Sequence, residues 1–78
     1  MLKRFIESLS EACDKSGVRS VSIHRAFYIA LHVLGKKVND EGALDAAWSL
    51  IKIACYTGDF MITPPNCFGE RFVYYKIR

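Results

Sequence analysis

This 78-residue chain contains no uncharged apolar stretch long enough to span a membrane. Its longest apolar run is bracketed by Arg25 and Lys36 and interrupted by His32, so it reads as a buried helix and no membrane association is expected. Cysteine is scarce and odd in number, with Cys13, Cys55 and Cys67 widely spaced and no Cys-x-x-Cys pair. No secretory apolar region precedes them, so the expectation is a reduced, intracellular, cytoplasmic protein. Proline is confined to the adjacent Pro64 and Pro65, and no linker, low-complexity tract or internal repeat divides the chain, which leaves one domain over residues 1–78. A phosphate-binding glycine loop is also missing. His24 and His32 stand eight apart on one helical stripe, too far along the axis to share a metal ion, so neither metal nor cofactor is expected. Cys13 and Cys55 read as small core residues, not activated thiolates, and the acids sit at helix ends without a cleft, so the chain is not expected to be an enzyme.

What the chain does have is apolar residues, 51% of the total, and enough periodicity to order them. Phe5, Ile6, Leu9, Ala12 and Cys13 follow helical i, i+3, i+4, i+7 spacing from Leu2, with Lys3, Arg4, Glu7, Glu11 and Asp14 on other faces and Gly17 as a left-handed stop. Val18 to Val21 is β-branched at both ends and reads as a short strand. Ser22 caps a second helix whose apolar arc is Ile23, Ala26, Phe27, Ala30, Leu31 and Leu34, ended by Gly35. His24, Tyr28, His32 and Lys36 recur every four residues on its other side, as a solvated stripe. A third helix, capped by Asn39 or Asp40, carries a core stripe of Leu44, Ala47, Trp48, Ile51, Ala54 and Cys55 and closes at Gly58 and Asp59. Phe60 to Thr63 alternates as a strand until the prolines end it, a turn runs through Asn66 and Gly69, and Arg71 to Arg78 alternates again. Val73, Tyr75 and Ile77 then share one face, with Phe72, Tyr74 and Lys76 on the other. The fold class is α+β: three helices, a β-hairpin and a short strand after the first helix. The expected core is Phe5, Leu9, Phe27, Leu31, Leu34, Leu44, Trp48, Ile51, Ile62 and Val73.

That element order is the order of the winged helix-turn-helix family, and the segment from Trp48 to Ile62, WSLIKIACYTGDFMI, resembles its helix-to-wing junction. The resemblance covers nearly the whole chain. It implies a small winged helix whose third helix enters the major groove of duplex DNA while the hairpin wing touches phosphate. Transferred position by position, the groove-facing residues are Glu41, Gly42, Asp45, Ala46 and Ser49. Two acids among them depart from a typical DNA reader, since carboxylates repel phosphate unless nearby cations offset them. Lys36, Lys37, Lys52 and Arg71 are the candidates for that offset.

Two functions from different classes follow. By resemblance, the leading expectation is a DNA-binding transcriptional regulator, with Lys36, Lys37, Ser49 and Lys52 near the groove and Arg71 on the wing. The net charge of +3 permits this without demanding it, and Arg25, Lys76 and Arg78 either converge with that set or only solubilise the surface. The alternative is a protein-binding module on a winged-helix scaffold, such as a virus-type inhibitor or modulator of a host protein complex. It rests on Glu41 and Asp45, which suit a basic protein surface, and on Phe68, Phe72 and Tyr74 at the wing, because aromatics bury much area at little entropic cost. The structural reading of the acids is dipole complementation at a helix start, and that of the aromatics is internal packing. A homodimer through the wing or first helix is compatible with either function.

Overall fold

In the computed structural model, which describes residues 1–57 and 60–75, small residues and glycines decide where each helix stops. Helix α1, Leu2–Lys15, buries Phe5, Leu9 and Cys13, which stand four apart and so line one side of the cylinder. Ser16 closes it by donating from its hydroxyl to the Cys13 carbonyl at 2.7 Å, and Gly17 follows at φ 78°, as the sequence suggests. Strand β1, Ser20–Ser22, begins two residues later than the β-branched run predicts. Arg19 takes φ 59°, a left-handed backbone that no strand tolerates, and Val18 is left 73% exposed.

Ser22 ends β1 and caps helix α2, Ile23–Leu34, by accepting the Arg25 N–H at 3.2 Å. At the other end Gly35, φ 70°, lets its own N–H reach the His32 carbonyl and the Lys36 N–H reach that of Leu31, a Schellman closure. Ala26, Ala30 and Leu31 are buried, while Ile23, Phe27 and Leu34 are only partly covered.

Helix α3, Ala43–Tyr56, corrects two expectations. Neither Asn39 nor Asp40 caps it: the residue before it is Gly42, φ 72°, with no side-chain cap. The Asp40 carboxylate instead accepts the Lys37 N–H at 2.8 Å and stiffens the connecting turn, a local bond that outcompetes the cap. Glu41 therefore precedes the helix, and Asp45 is the one acid in its first turn. The buried stripe is also rotated. Ala43, Ala47, Leu50, Ile51 and Ala54 face inward, Trp48 and Cys55 lie at the margin, and Leu44 is 50% exposed, not core. Because α3 packs against α1, α2 and the sheet, its inward arc is centred on its alanines and leaves Leu44 outside.

Strands β2, Phe60–Ile62, and β3, Phe72–Tyr75, complete a three-stranded antiparallel sheet in the order β1-β3-β2. Val21 and Ile62 both sit opposite Val73, and Tyr74 lies between Ser20 and Met61. Period-two alternation turns Val73 into the core with Phe60, which the expected core omitted, and sends Phe72 and Tyr74 half-buried to the other face. Phe27, Leu34, Trp48 and Ile62 are packed at the edge of that core instead of within it. The expectations for Gly58, Asp59, Lys76, Ile77 and Arg78, and for the side chain of Tyr75, lie outside the described residues. The result is a small α+β domain of three helices and one antiparallel sheet.

Candidate functional site

Helices α2 and α3 bury mostly alanine, so their large side chains gather along the rim of the seam between them. Phe27 and Trp48 stack there with ring centroids 5.8 Å apart and planes 14° from parallel. The Lys52 ammonium lies 5.8 Å from the Trp48 ring centre, close enough for a cation–π attraction. In front of this pair opens a groove of about 540 Å³, walled by Ile23, Phe27, Tyr28 and Leu31 of α2, Val38 of the turn, and Leu44 and Trp48 of α3. His24 and Asp45 are the two ionisable groups besides Tyr28 along it. Tyr28, Val38 and Leu44 are each at least half exposed, so apolar surface stands open along the groove.

The residues expected from sequence fall in separate places. Lys36 and Lys37 are exposed in the turn after α2, with Glu41 further along the same turn. Ser49 and Lys52 are exposed on α3 beside Ile53 and Tyr56, the latter 94% exposed. That outward side of the helix carries one cation, already placed over Trp48, and one carboxylate, Asp45, at the groove. Arg71 is exposed at the base of β3, and its carbonyl accepts the Ile23 N–H at 2.9 Å, which ties the hairpin to the start of α2. Tyr74 donates its hydroxyl to the Met61 sulfur at 3.4 Å across the sheet, and Phe72 donates its N–H to the Thr63 hydroxyl at 2.9 Å. Phe68 projects from the tip with 82% of its surface exposed.

The tip is held by Asn66. Its side-chain carbonyl accepts the N–H groups of Phe68, at 2.9 Å, and Glu70, at 3.0 Å, while its backbone N–H reaches the Glu70 carbonyl. Gly69, φ 75°, makes the reversal that this requires.

No family model, curated protein or solved structure matches this chain.

Among the described residues, no three His, Cys, Asp or Glu side chains stand together as a metal site, and no helix is long and apolar enough to cross a membrane. The groove can bury apolar side chains against an aromatic floor. Of its lining, helical spacing in the sequence places Tyr28 on a solvated stripe and Leu44 in the core, and it assigns Val38, in the turn, to no face. The available signal is angular: at helical spacing Leu44, Trp48, Leu50, Ile51 and Ile53 spread too far round α3 to share one buried face, Ile53 standing nearly opposite Leu44.

Proposed function

We propose that this chain is a protein-docking module on a winged-helix scaffold, with the groove between α2 and α3 as its docking site. Support for the scaffold comes from the element order and from β1, the strand after the first helix, joining the hairpin in one sheet. The observation that carries the function is the groove itself: about 540 Å³ of open volume with an aromatic floor and half-exposed Val38 and Leu44 at its mouth. A pocket lined mainly by apolar and aromatic groups with few polar ones suits side chains of a partner, and exposed Tyr56 and Ile53 extend the same character along α3. A duplex demands the reverse, a cation-rich helix face, because phosphate neutralisation supplies most non-specific affinity.

Duplex DNA is the second reading. Lys36, Lys37 and Arg71, all exposed, favour it. The two separate in one experiment of two parts. A photo-crosslinking residue at Leu44, in cells that make the protein, is expected to give a discrete protein adduct that the same residue at Glu7 on α1 does not give. A salt titration against generic duplex by fluorescence anisotropy is expected to show no binding at low salt. Micromolar, steeply salt-dependent binding, strengthened by reversing Glu41 and Asp45 to lysine, would establish the DNA reading instead.

A further inference from the structure

We propose that a cleft between α1 and α2 binds a phosphomonoester, held by Arg25 and His32 and by the hydroxyls of Ser8 and Tyr28. The cleft has a volume of about 260 Å³ and is walled by those four side chains and Ile29. Its chemistry is one-sided: every polar side chain along it can donate a hydrogen bond, and no carboxylate is among them. Helix α2, IHRAFYIALHVL, contains no acid at all, and the i, i+3, i+7 spacing of Arg25, Tyr28 and His32 sets them on one side of it. On α1, Arg4 stands one turn before Ser8 and adds a cation to that flank. Glu11, one turn after Ser8, is engaged by the Lys15 ammonium at 2.8 Å, and Glu7 is turned about 100° away round the helix. Among the described residues, none of the four side chains has a hydrogen-bond or ion-pair partner within the protein, so their donors are open to a ligand.

A carboxylate brings two oxygens and a single charge. A phosphomonoester brings three oxygens and a charge of about −1.5 to −2, which answers a forked guanidinium, an imidazole and two hydroxyls more completely. Position then indicates what carries the phosphoryl group. Tyr28 lines this cleft and also the groove between α2 and α3, so an occupant of the groove reaches the cleft across one side chain. The bearer is therefore a protein partner with a phosphorylated side chain next to the apolar ones that enter the groove. Asp45 keeps the phosphoryl group out of the groove by repulsion and leaves the cleft as its place. That choice of bearer rests on the docking reading, whereas the oxyanion site stands apart from it.

The whole chain serves for the test. NMR titration with phenyl phosphate, against sodium chloride of equal ionic strength, is expected to give saturable shifts at the His32 ring and the Arg25 and Tyr28 amides, with none comparable at His24 on the groove. Arg25→Gln and His32→Ala, both at exposed positions, should each weaken binding about tenfold, as loss of a charge-assisted bond does. Lys3→Gln, which removes an exposed cation outside the cleft, should leave it within about twofold. Absence of saturable shifts, or an equal loss on Lys3→Gln, overturns the site, and the docking groove then survives if a residue at Leu44 still photo-crosslinks a protein. A Leu44 adduct that Arg25→Gln weakens, and that phosphatase treatment of the extract abolishes, supports the phosphorylated partner. An adduct indifferent to both assigns the cleft to free phosphate and overturns the partner. Saturable binding with no adduct does the same and retires the docking groove as well. Affinity that climbs with the length of a DNA duplex assigns the cleft to nucleic-acid phosphate and overturns the protein partner.

Discussion

The two flanks of α3 are made from equally apolar sequence and finished differently. Towards α1 and the sheet, Phe5, Leu9, Cys13, Ile51, Phe60 and Val73 are fully buried, and the Cys13 thiol points at the Val73 carbonyl, 3.9 Å away, to join helix and strand. Towards the outer edge of α2, Phe27 and Trp48 are half covered and Leu44 and Val38 stand open. One flank has a third layer and the other lacks it. Burying a large apolar side chain stabilises a fold by about 1.5 to 3 kcal/mol, so leaving several of them uncovered forgoes energy of the order of a small domain's whole stability. A groove kept at that cost is a feature of the surface and not of the core.

The widest gap between the flanks should show in truncation. Phe5→Ala is expected to cost about 3 to 5 kcal/mol in urea unfolding, enough to unfold a domain of this size, while Leu44→Ala should cost less than about 1 kcal/mol. Ile51→Val, at about 0.5 to 1.5 kcal/mol, keeps the closed flank measurable if Phe5→Ala does not fold. Equal losses at Phe5 and Leu44 would mean that the groove is covered in solution and the contrast is false.

A second contrast lies between the hairpin tip and the sheet it grows from. Asn66→Ala removes the acceptor of two backbone N–H groups, each worth about 1 kcal/mol, and should release the tip locally while the sheet stays closed. Faster amide exchange at Phe68 and Glu70 with unchanged protection at Val73 is the expected result. Loss of protection at Val73 would make the tip part of the sheet's stability.

The cysteines report the same division between inside and outside. Burial pushes the Cys13 thiol above its ordinary range, with the nearby Asp14 charge adding to it, while Cys67 is exposed at the tip. Below the unfolded thiol's range, near pH 8.5, both states keep the proton and the stabilisation is fully present. As pH rises above that, the unfolded chain ionises first, so stability falls, by at most about 1.4 kcal/mol per pH unit, until the raised folded value is passed. Replacing Cys13 with alanine should remove that alkaline component relative to wild type. Cys67 should meanwhile react with a thiol reagent in the native state, and Cys13 only as fast as the chain unfolds.

Legibility in the sequence followed how local each feature is. Ser22, Gly17 and Gly35 punctuate helices through bonds within a few residues, and those signals read correctly. Asp40 misled because two local bonds compete for one carboxylate, and the turn to Lys37 won over the helix cap. Val18 misled because β-propensity says nothing of the partner strand, and the pairing of Val21 with Val73 starts β1 later. Leu44 misled, and Leu50 has no place in the expected stripe, because both lie near the edge of the apolar arc and only the neighbours of α3 decide which edge is closed. The groove is legible only through the spread of apolar residues round α3, because it consists of cover that the described residues do not supply, and periodicity records only what is present. The aromatic hairpin was readable in part, since Phe68 stands out as its turn position suggests, whereas Phe72 and Tyr74 are half covered within the sheet.

The smallest expected effect distinguishes a groove wall from a charged face. Lys52→Met keeps the aliphatic stem over Trp48 and removes the ammonium, so the fold should lose about 0.5 to 1 kcal/mol of exposed cation–π attraction and little packing. If α3 meets a protein surface, docking should be maintained or tightened, because a desolvated ammonium no longer has to be accommodated beside an apolar contact. If α3 instead meets a duplex, the same substitution removes a cation from a helix that carries no other, and log-log salt dependence should flatten by close to one ion. The sign of the change in affinity therefore reads out which flank of the helix function uses, with stability held nearly constant.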